Sequence, residues 1–156
     1  TGSAHRSHLV LRSTAKPGQI LLVTGSLGGS FHGKHLDFTP RLKESDWLVS
    51  NFKPTAMMDL SDGLARDLPR LAAASGCGFV LAEGALPRTP GCTIAQALGD
   101  GEDYELLMAM EAERVVGLLA EWRAEFPGLP LTVIGRLVEP GGGTTLVGGW
   151  DAFGLR

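Results

Sequence analysis

Cysteine is scarce: Cys77 and Cys92 are the only two in 156 residues, too few for a disulfide framework or a zinc site. Reduced thiols in the cytoplasm are the simpler expectation. No apolar run approaches the roughly 18 residues of a membrane span, and the first residues lack the apolar centre of a signal peptide. Positive charge is also in short supply, with 14 Lys and Arg against 17 Asp and Glu, a net charge of -3 and no basic block. A phosphate backbone requires a positive footprint, so nucleic-acid binding is disfavoured as the main function. No Gly-Lys-Ser/Thr follows a glycine-rich turn, which removes the P-loop. The chain opens on Thr1 rather than methionine, so a fragment, a processed product or an excised domain is expected.

What is present suits a single globular domain. A chain of this length buries about two thirds of the surface its unfolded form exposes. Apolar residues at 44% and charged residues at 20% argue against wholesale disorder. Glycine, at 22 residues, is about twice its usual share, which points to tight turns or close approaches of backbone to ligand.

The chain is organised around Met57 to Leu68, MMDLSDGLARDL. Ala56-Met57-Met58 reads as the end of a buried strand and Ser61-Asp62 as the start of a helix. Asp59, Ser61, Asp62 and Asp67 therefore gather where strand passes to helix. Free N–H groups and the helix dipole favour phosphate at such a junction, and unpaired carboxylates favour a hard cation. The same residues also serve as caps in a purely structural reading, with Asp67 a second cap because Pro69 should kink or restart the helix. A second acidic stretch, Asp100-Gly101-Glu102-Asp103-Tyr104-Glu105, runs into the apolar strand Leu106 to Met110. Two carboxylate-rich turns in one small domain favour a magnesium-nucleotide site.

The remaining elements follow from periodicity and turn chemistry. His8 to Leu11 reads as an edge strand, Gln19 to Gly25 as a buried strand, and Ser26 to Ser30 as a tight turn with a serine cap, with a phosphate cradle as the other possibility. His32 and His35 share a helical spacing but are expected to be solvated. Leu36 to Phe52 reads as a loop followed by one or two helical turns, with Trp47 at the core edge. Leu64, Leu68, Leu71 and Ala72 mark the buried side of a helix ended by Gly76 and Gly78. Gly78 to Ala82 is a short strand, Cys92 to Leu98 a short helix, and Glu111 to Phe126 a helix burying Val115, Leu118, Leu119 and Trp122. Leu131 to Val138 is a strand with a bulge at Gly135, returning through a glycine turn to a hairpin partner at Thr144 to Val147. These elements predict an α+β fold, an α/β sandwich around a mixed β-sheet with packed helices.

The quoted pieces stand in a recognisable order: KPGQILLVTGSLGGS, MMDLSDGLARDL, ASGCG, DGEDYELL, IGRL and GGWDAF. In that order the chain resembles the C-terminal half of the thiamine-monophosphate kinase family, within the aminoimidazole ribonucleotide synthetase-like (PurM-like) superfamily. The resemblance spans nearly the whole chain, and the pairing of SDGL with GEDYEL is its specific part. It implies a PurM C-terminal domain-like fold and phosphoryl transfer from ATP to thiamine monophosphate with Mg2+. By position, Asp59 and Asp62 resemble magnesium ligands, Ser61 an ATP contact, and Glu102 and Trp150 substrate contacts; no side-chain base is implied, since carboxylate-held cations bridge the phosphates. The family's N-terminal domain, which supplies further aspartates, is absent from this chain, and homodimerisation of the full-length protein is implied. Pro69 in the key helix and Trp150 where the family often has tyrosine are departures. Two alternatives stay open: a superfamily enzyme acting on another acceptor, such as formylglycinamidine ribonucleotide or selenide, and a non-catalytic nucleotide-binding module.

Overall fold

The computed structural model describes residues 5–146 and 148. Among the described residues nine α-helices and β-strands follow in order: β1 Ile20–Thr24, α1 Leu42–Asn51, β2 Ala56–Asp59, α2 Leu64–Ala74, β3 Gly78–Leu81, α3 Ile94–Gly99, β4 Leu106–Met110, α4 Ala112–Glu125 and β5 Leu131–Val138. The five strands form one sheet in the order β2-β4-β1-β5-β3. All four ladders between these strands are antiparallel, and among the described residues parallel pairing is confined to isolated bridges at Leu27–Arg88 and Phe79–Gly143.

Alternation along the strands divides the core. Leu21, Val23, Leu107 and Ala109 face α2 and α3, where they meet Leu64, Leu68, Leu71 and Ala97. Leu22, Leu106, Met108 and Met110 face the other way, against Leu48 of α1 and Val115, Leu118 and Trp122 of α4. The sheet is thus the middle layer of a sandwich, and β4, buried along its whole length, reads as a continuous apolar run. Trp122 is buried, and Trp47 and Phe126 pack edge-on to each other at the margin of that second core.

Several elements differ from their sequence reading for identifiable reasons. Helix α2 starts after Gly63, later than Ser61, and continues unbroken through Pro69. An interior proline costs about 3 kcal/mol. Complete burial of Leu64, Leu68 and Leu71, each worth roughly 1.5–3 kcal/mol, outweighs it. Helix α1 is ten residues long, longer than its pattern suggested, with Leu48 and Val49 buried and Trp47 packed beside them on Phe52, Trp122 and Phe126. His8 to Leu11 does not form a strand: Arg6–His8 is a 3-10 turn, and Leu11 O accepts the N–H of Met57 at 3.3 Å and the Thr14 hydroxyl at 3.4 Å without a ladder. The expected hairpin after β5 is also absent from the described residues. The chain turns at Glu139 to Gly142 and lies against β3 instead, with Thr144 donating its N–H to Phe79 O at 2.6 Å and accepting from Leu81 N–H at 3.2 Å. The β5 irregularity falls at Ile134, beside Gly135, where pairing to β1 skips from Gly135 to Val133. No helix is long and apolar enough to cross a membrane among the described residues.

Candidate active site

The two acidic stretches meet. Antiparallel pairing of β2 with β4 ends at Asp59 opposite Leu106, and the ladder then runs on into both loops. Leu60 N–H donates to Glu105 O at 2.8 Å, Tyr104 N–H to Leu60 O at 2.9 Å, and Glu102 N–H to Ser61 O at 2.7 Å. Leu60 is fully buried and anchors the pairing from below. Gly101 is needed for this approach: a Cβ there would lie 3.1 Å from Ser61 O, and its φ of +71° suits glycine. Asp59, Ser61, Asp62 and Glu102 consequently share one rim at the end of the sheet.

Their neighbours are interior ties, which the sequence did not separate from the rim. Asp67 is buried on α2 and its Oδ2 accepts the N–H groups of both Ser61 and Asp62, each at 2.9 Å. Those two amides are therefore committed, and Asp67 is the cap of the junction. Burial pushes its carboxyl up, while the two N–H groups and Arg70 pull it back. Arg70 bridges the Asp67 and Asp62 carboxylates, with its Nη1 2.9 Å from Asp67 Oδ1.

The second acidic stretch behaves likewise. Asp100 accepts Gly29 N–H at 2.8 Å, and Asp103 accepts Gly28 N–H at 2.7 Å and the Lys34 ammonium at 3.1 Å. These carboxylates occupy the amides of the glycine-rich turn, so that turn is a tight structural one and no phosphate cradle. Ser30 is buried and does not cap; its hydroxyl donates to Asp100 O at 3.4 Å. Glu105 accepts the Thr24 hydroxyl at 2.6 Å and a two-pronged contact from Arg41. Burial raises Asp103 to about 6 against the opposing pull of Lys34. Of the four carboxylates in this turn, Glu102 alone is exposed. Arg41, Lys34 and Arg70 were missed by sequence reasoning, since nothing in their local pattern marks the distant carboxylates they meet.

Magnesium takes six oxygens in near-octahedral geometry and usually keeps several waters beside one or two carboxylates and phosphate oxygens. Asp59 is exposed and Asp62 partly so, and both are hard donors on the same rim. Among the described residues no group of three or more His, Cys, Asp or Glu side chains converges tightly enough to hold a metal ion. These two carboxylates suit an open site whose coordination phosphate and water would complete, rather than a closed protein cage. Trp150 lies outside the described residues.

Comparison with known proteins gives the site its context. Residues 32–148 match the family model "AIR synthase related protein, C-terminal domain". A thiamine-monophosphate kinase of Halobacterium salinarum is 38% identical over 160 residues, covering 90% of this chain and 53% of the relative. The crystal structure of thiamine-monophosphate kinase from Stenotrophomonas maltophilia K279a superposes with a TM-score of 0.77 at 28% identity, over 90% of this chain and 54% of that one. A structure of AaThiL complexed with AMPPCP and TMP gives a TM-score of 0.68 at 29% identity, over 92% of this chain and 54% of that one. The chain spans about half the length of the curated relatives it matches. On the strength of the match over residues 32–148, the chain belongs to the AIR synthase related protein family, as a C-terminal domain.

Proposed function

We propose that this chain is the C-terminal domain of a thiamine-phosphate kinase, which transfers the γ-phosphate of ATP to thiamine monophosphate to give thiamine diphosphate and ADP. The observation that carries the proposal is the backbone pairing of the two acidic loops, with Glu102 N–H on Ser61 O at 2.7 Å, because it brings the nucleotide-side and acceptor-side residues onto one rim. The thiamine-monophosphate kinase relatives, and the AMPPCP and TMP in one neighbouring structure, support it.

Asp59 and Asp62 would hold Mg2+ together with the nucleotide phosphates. The ion supplies charge neutralisation and alignment for an in-line transfer. Ser61, whose N–H is tied to Asp67, keeps its hydroxyl for an ATP oxygen. Asp67 fixes the Asp62 backbone through its N–H, and Arg70, paired to the Asp62 carboxylate, would have to yield it to the ion. Glu102 presents its carboxylate to the cationic acceptor, and Trp150 supplies an aromatic contact there. A second, N-terminal domain would provide the remaining metal ligands and the greater part of the nucleotide grip. The full-length protein would act as a homodimer in the cytoplasm.

The test uses the polypeptide as its gene encodes it. ADP release from Mg-ATP is followed with thiamine monophosphate, with thiamine, with selenide and with no acceptor. Release that depends on thiamine monophosphate, and is abolished by Asp62→Asn without loss of folding, is the expected result. Turnover with another acceptor only would replace the proposal, and full activity of Asp62→Asn would remove the metal assignment.

A further inference from the structure

Residues 102 to 105 alternate between outside and inside. Asp103 and Glu105 point inward, each into an ion pair, whereas Glu102 is exposed and Tyr104 partly so. Both outward residues have left-handed backbone, with φ of +50° at Glu102 and +52° at Tyr104. Such conformations are costly for non-glycine residues and persist where the surroundings enforce them, often at ligand sites. Here the enforcement is the pairing of both N–H groups to Leu60 and Ser61.

The ring of Tyr104 lies on Phe38, with centroids 4.3 Å apart and planes inclined by 31°. Phe38 remains 42% exposed even so, which leaves part of the paired aromatic surface open to solvent. The loop that carries it is clasped on both sides by the inward carboxylates: Lys34 binds Asp103, and Arg41 binds Glu105. Two buried-carboxylate ion pairs thus hold one aromatic pair in place. The same clasp borders a cavity of about 310 Å³, with Phe38 on its wall. The Tyr104 hydroxyl stands 3.5 Å from Glu102 Oε1, so the carboxylate adjoins the aromatic pair.

We propose that Phe38 and Tyr104 form a preorganised aromatic wall that, with Glu102, receives the flat cationic ring of the acceptor and selects it over a neutral ring of the same shape. The chemistry is that of a heteroaromatic cation: a ring face attracts positive charge, and an adjoining carboxylate adds to the attraction. The wall rests on the thiamine-phosphate reading above for the identity of the ring. Its geometry concerns charge and flatness only, so the two are separable by experiment.

The full-length polypeptide is compared with Tyr104→Phe, Tyr104→Leu and Phe38→Leu. Steady-state constants are measured for thiamine monophosphate and for ATP. Calorimetric affinities are measured for thiamine monophosphate, for thiamine, and for the neutral phosphorylated thiazole lacking the ring N-substituent. Tyr104→Leu is expected to raise KM and Kd for thiamine monophosphate about tenfold, leaving KM for ATP unchanged. Phe38→Leu shows a smaller loss, Tyr104→Phe restores nearly wild-type affinity, and the neutral thiazole binds weakly and alike to all four proteins. Equal losses for charged and neutral rings, or no loss in Tyr104→Leu, overturns the wall. If no thiamine monophosphate turns over but thiamine binds with Tyr104 dependence, the kinase reading falls and the wall stands. Absence of both effects in the folded proteins removes both.

Discussion

Arg41 and Glu105 meet fork to fork, Nε on Oε2 at 2.8 Å and Nη2 on Oε1 at 2.7 Å, joining the segment before α1 to the first residues of the β4 approach. The hydrogen bonds to Glu105 hold the guanidinium pKa above its ordinary value despite partial burial. The Glu105 side chain is only 4% exposed, so solvent offers its carboxylate little in place of the guanidinium. Arg41→Met leaves the Glu105 carboxylate buried beside Thr24 and should cost about 3–5 kcal/mol. Urea denaturation checks this, and a loss below about 1 kcal/mol would show that water or Lys34 takes over. The double variant Arg41→Met, Glu105→Leu should recover most of the loss.

Asp103 predicts an unusual pH response. Its carboxyl rises from 3.8 to about 6, chiefly through burial, with Lys34 opposing and Glu105 adding. Between those values the folded state keeps a proton that the unfolded state has released. Its contribution to stability is therefore fullest below pH 4 and falls by on the order of 3 kcal/mol as pH rises to about 6. Unfolding midpoints of the wild type and Asp103→Asn, measured from pH 4 to 7, should converge or cross with that slope. A constant difference between the two proteins across the range would refute it.

Glycine positions separate backbone preference from space. Gly18 and Gly25 both have positive φ, at +89° and +61°. An added Cβ at Gly18 meets nothing within 4 Å, so Gly18→Ala should cost only the local ~1–2 kcal/mol of left-handed backbone. At Gly25 the Cβ would fall 2.0 Å from Glu105 Oε1, displacing the carboxylate from Arg41 and Thr24. Gly25→Ala should therefore lose at least ~2 kcal/mol more than Gly18→Ala, read from paired thermal melts.

Arg70 competes for the carboxylate that we assign to magnesium. It is 43% exposed and contacts both Asp62 and buried Asp67. Arg70→Gln should cost on the order of 1–3 kcal/mol, because it leaves buried Asp67 with only its two backbone N–H donors, and tighten Mg2+ binding several-fold in calorimetry. Weaker binding of Mg-ATP in that variant would instead assign the guanidinium to phosphate.

Much of the architecture is legible along the chain because it depends on residues close in sequence. The five-residue apolar run of β4, the spacing of Leu64, Leu68 and Leu71, and the Val115–Leu118–Trp122 face specify buried strand and helix faces by period alone. The same logic fails for His8 to Leu11 and for Thr144 to Leu146, where short apolar stretches pair with whichever edge lies nearest. Strand-like composition does not name a partner.

The acidic residues mark the deeper division. The sequence by itself determined that carboxylates crowd a strand-to-helix junction and a turn before a buried strand, and the resemblance attached a phosphoryl-transfer site to them. Only the tertiary structure decided which remain on the rim, because that depends on partners far away: Asp103 on Gly28 N–H, Asp100 on Gly29 N–H and Glu105 on Arg41. A buried carboxylate must find such donors, and folding brings them from across 60 to 80 residues of chain. Asp59, Asp62 and Glu102 retain access to solvent because their neighbours have taken the inward positions.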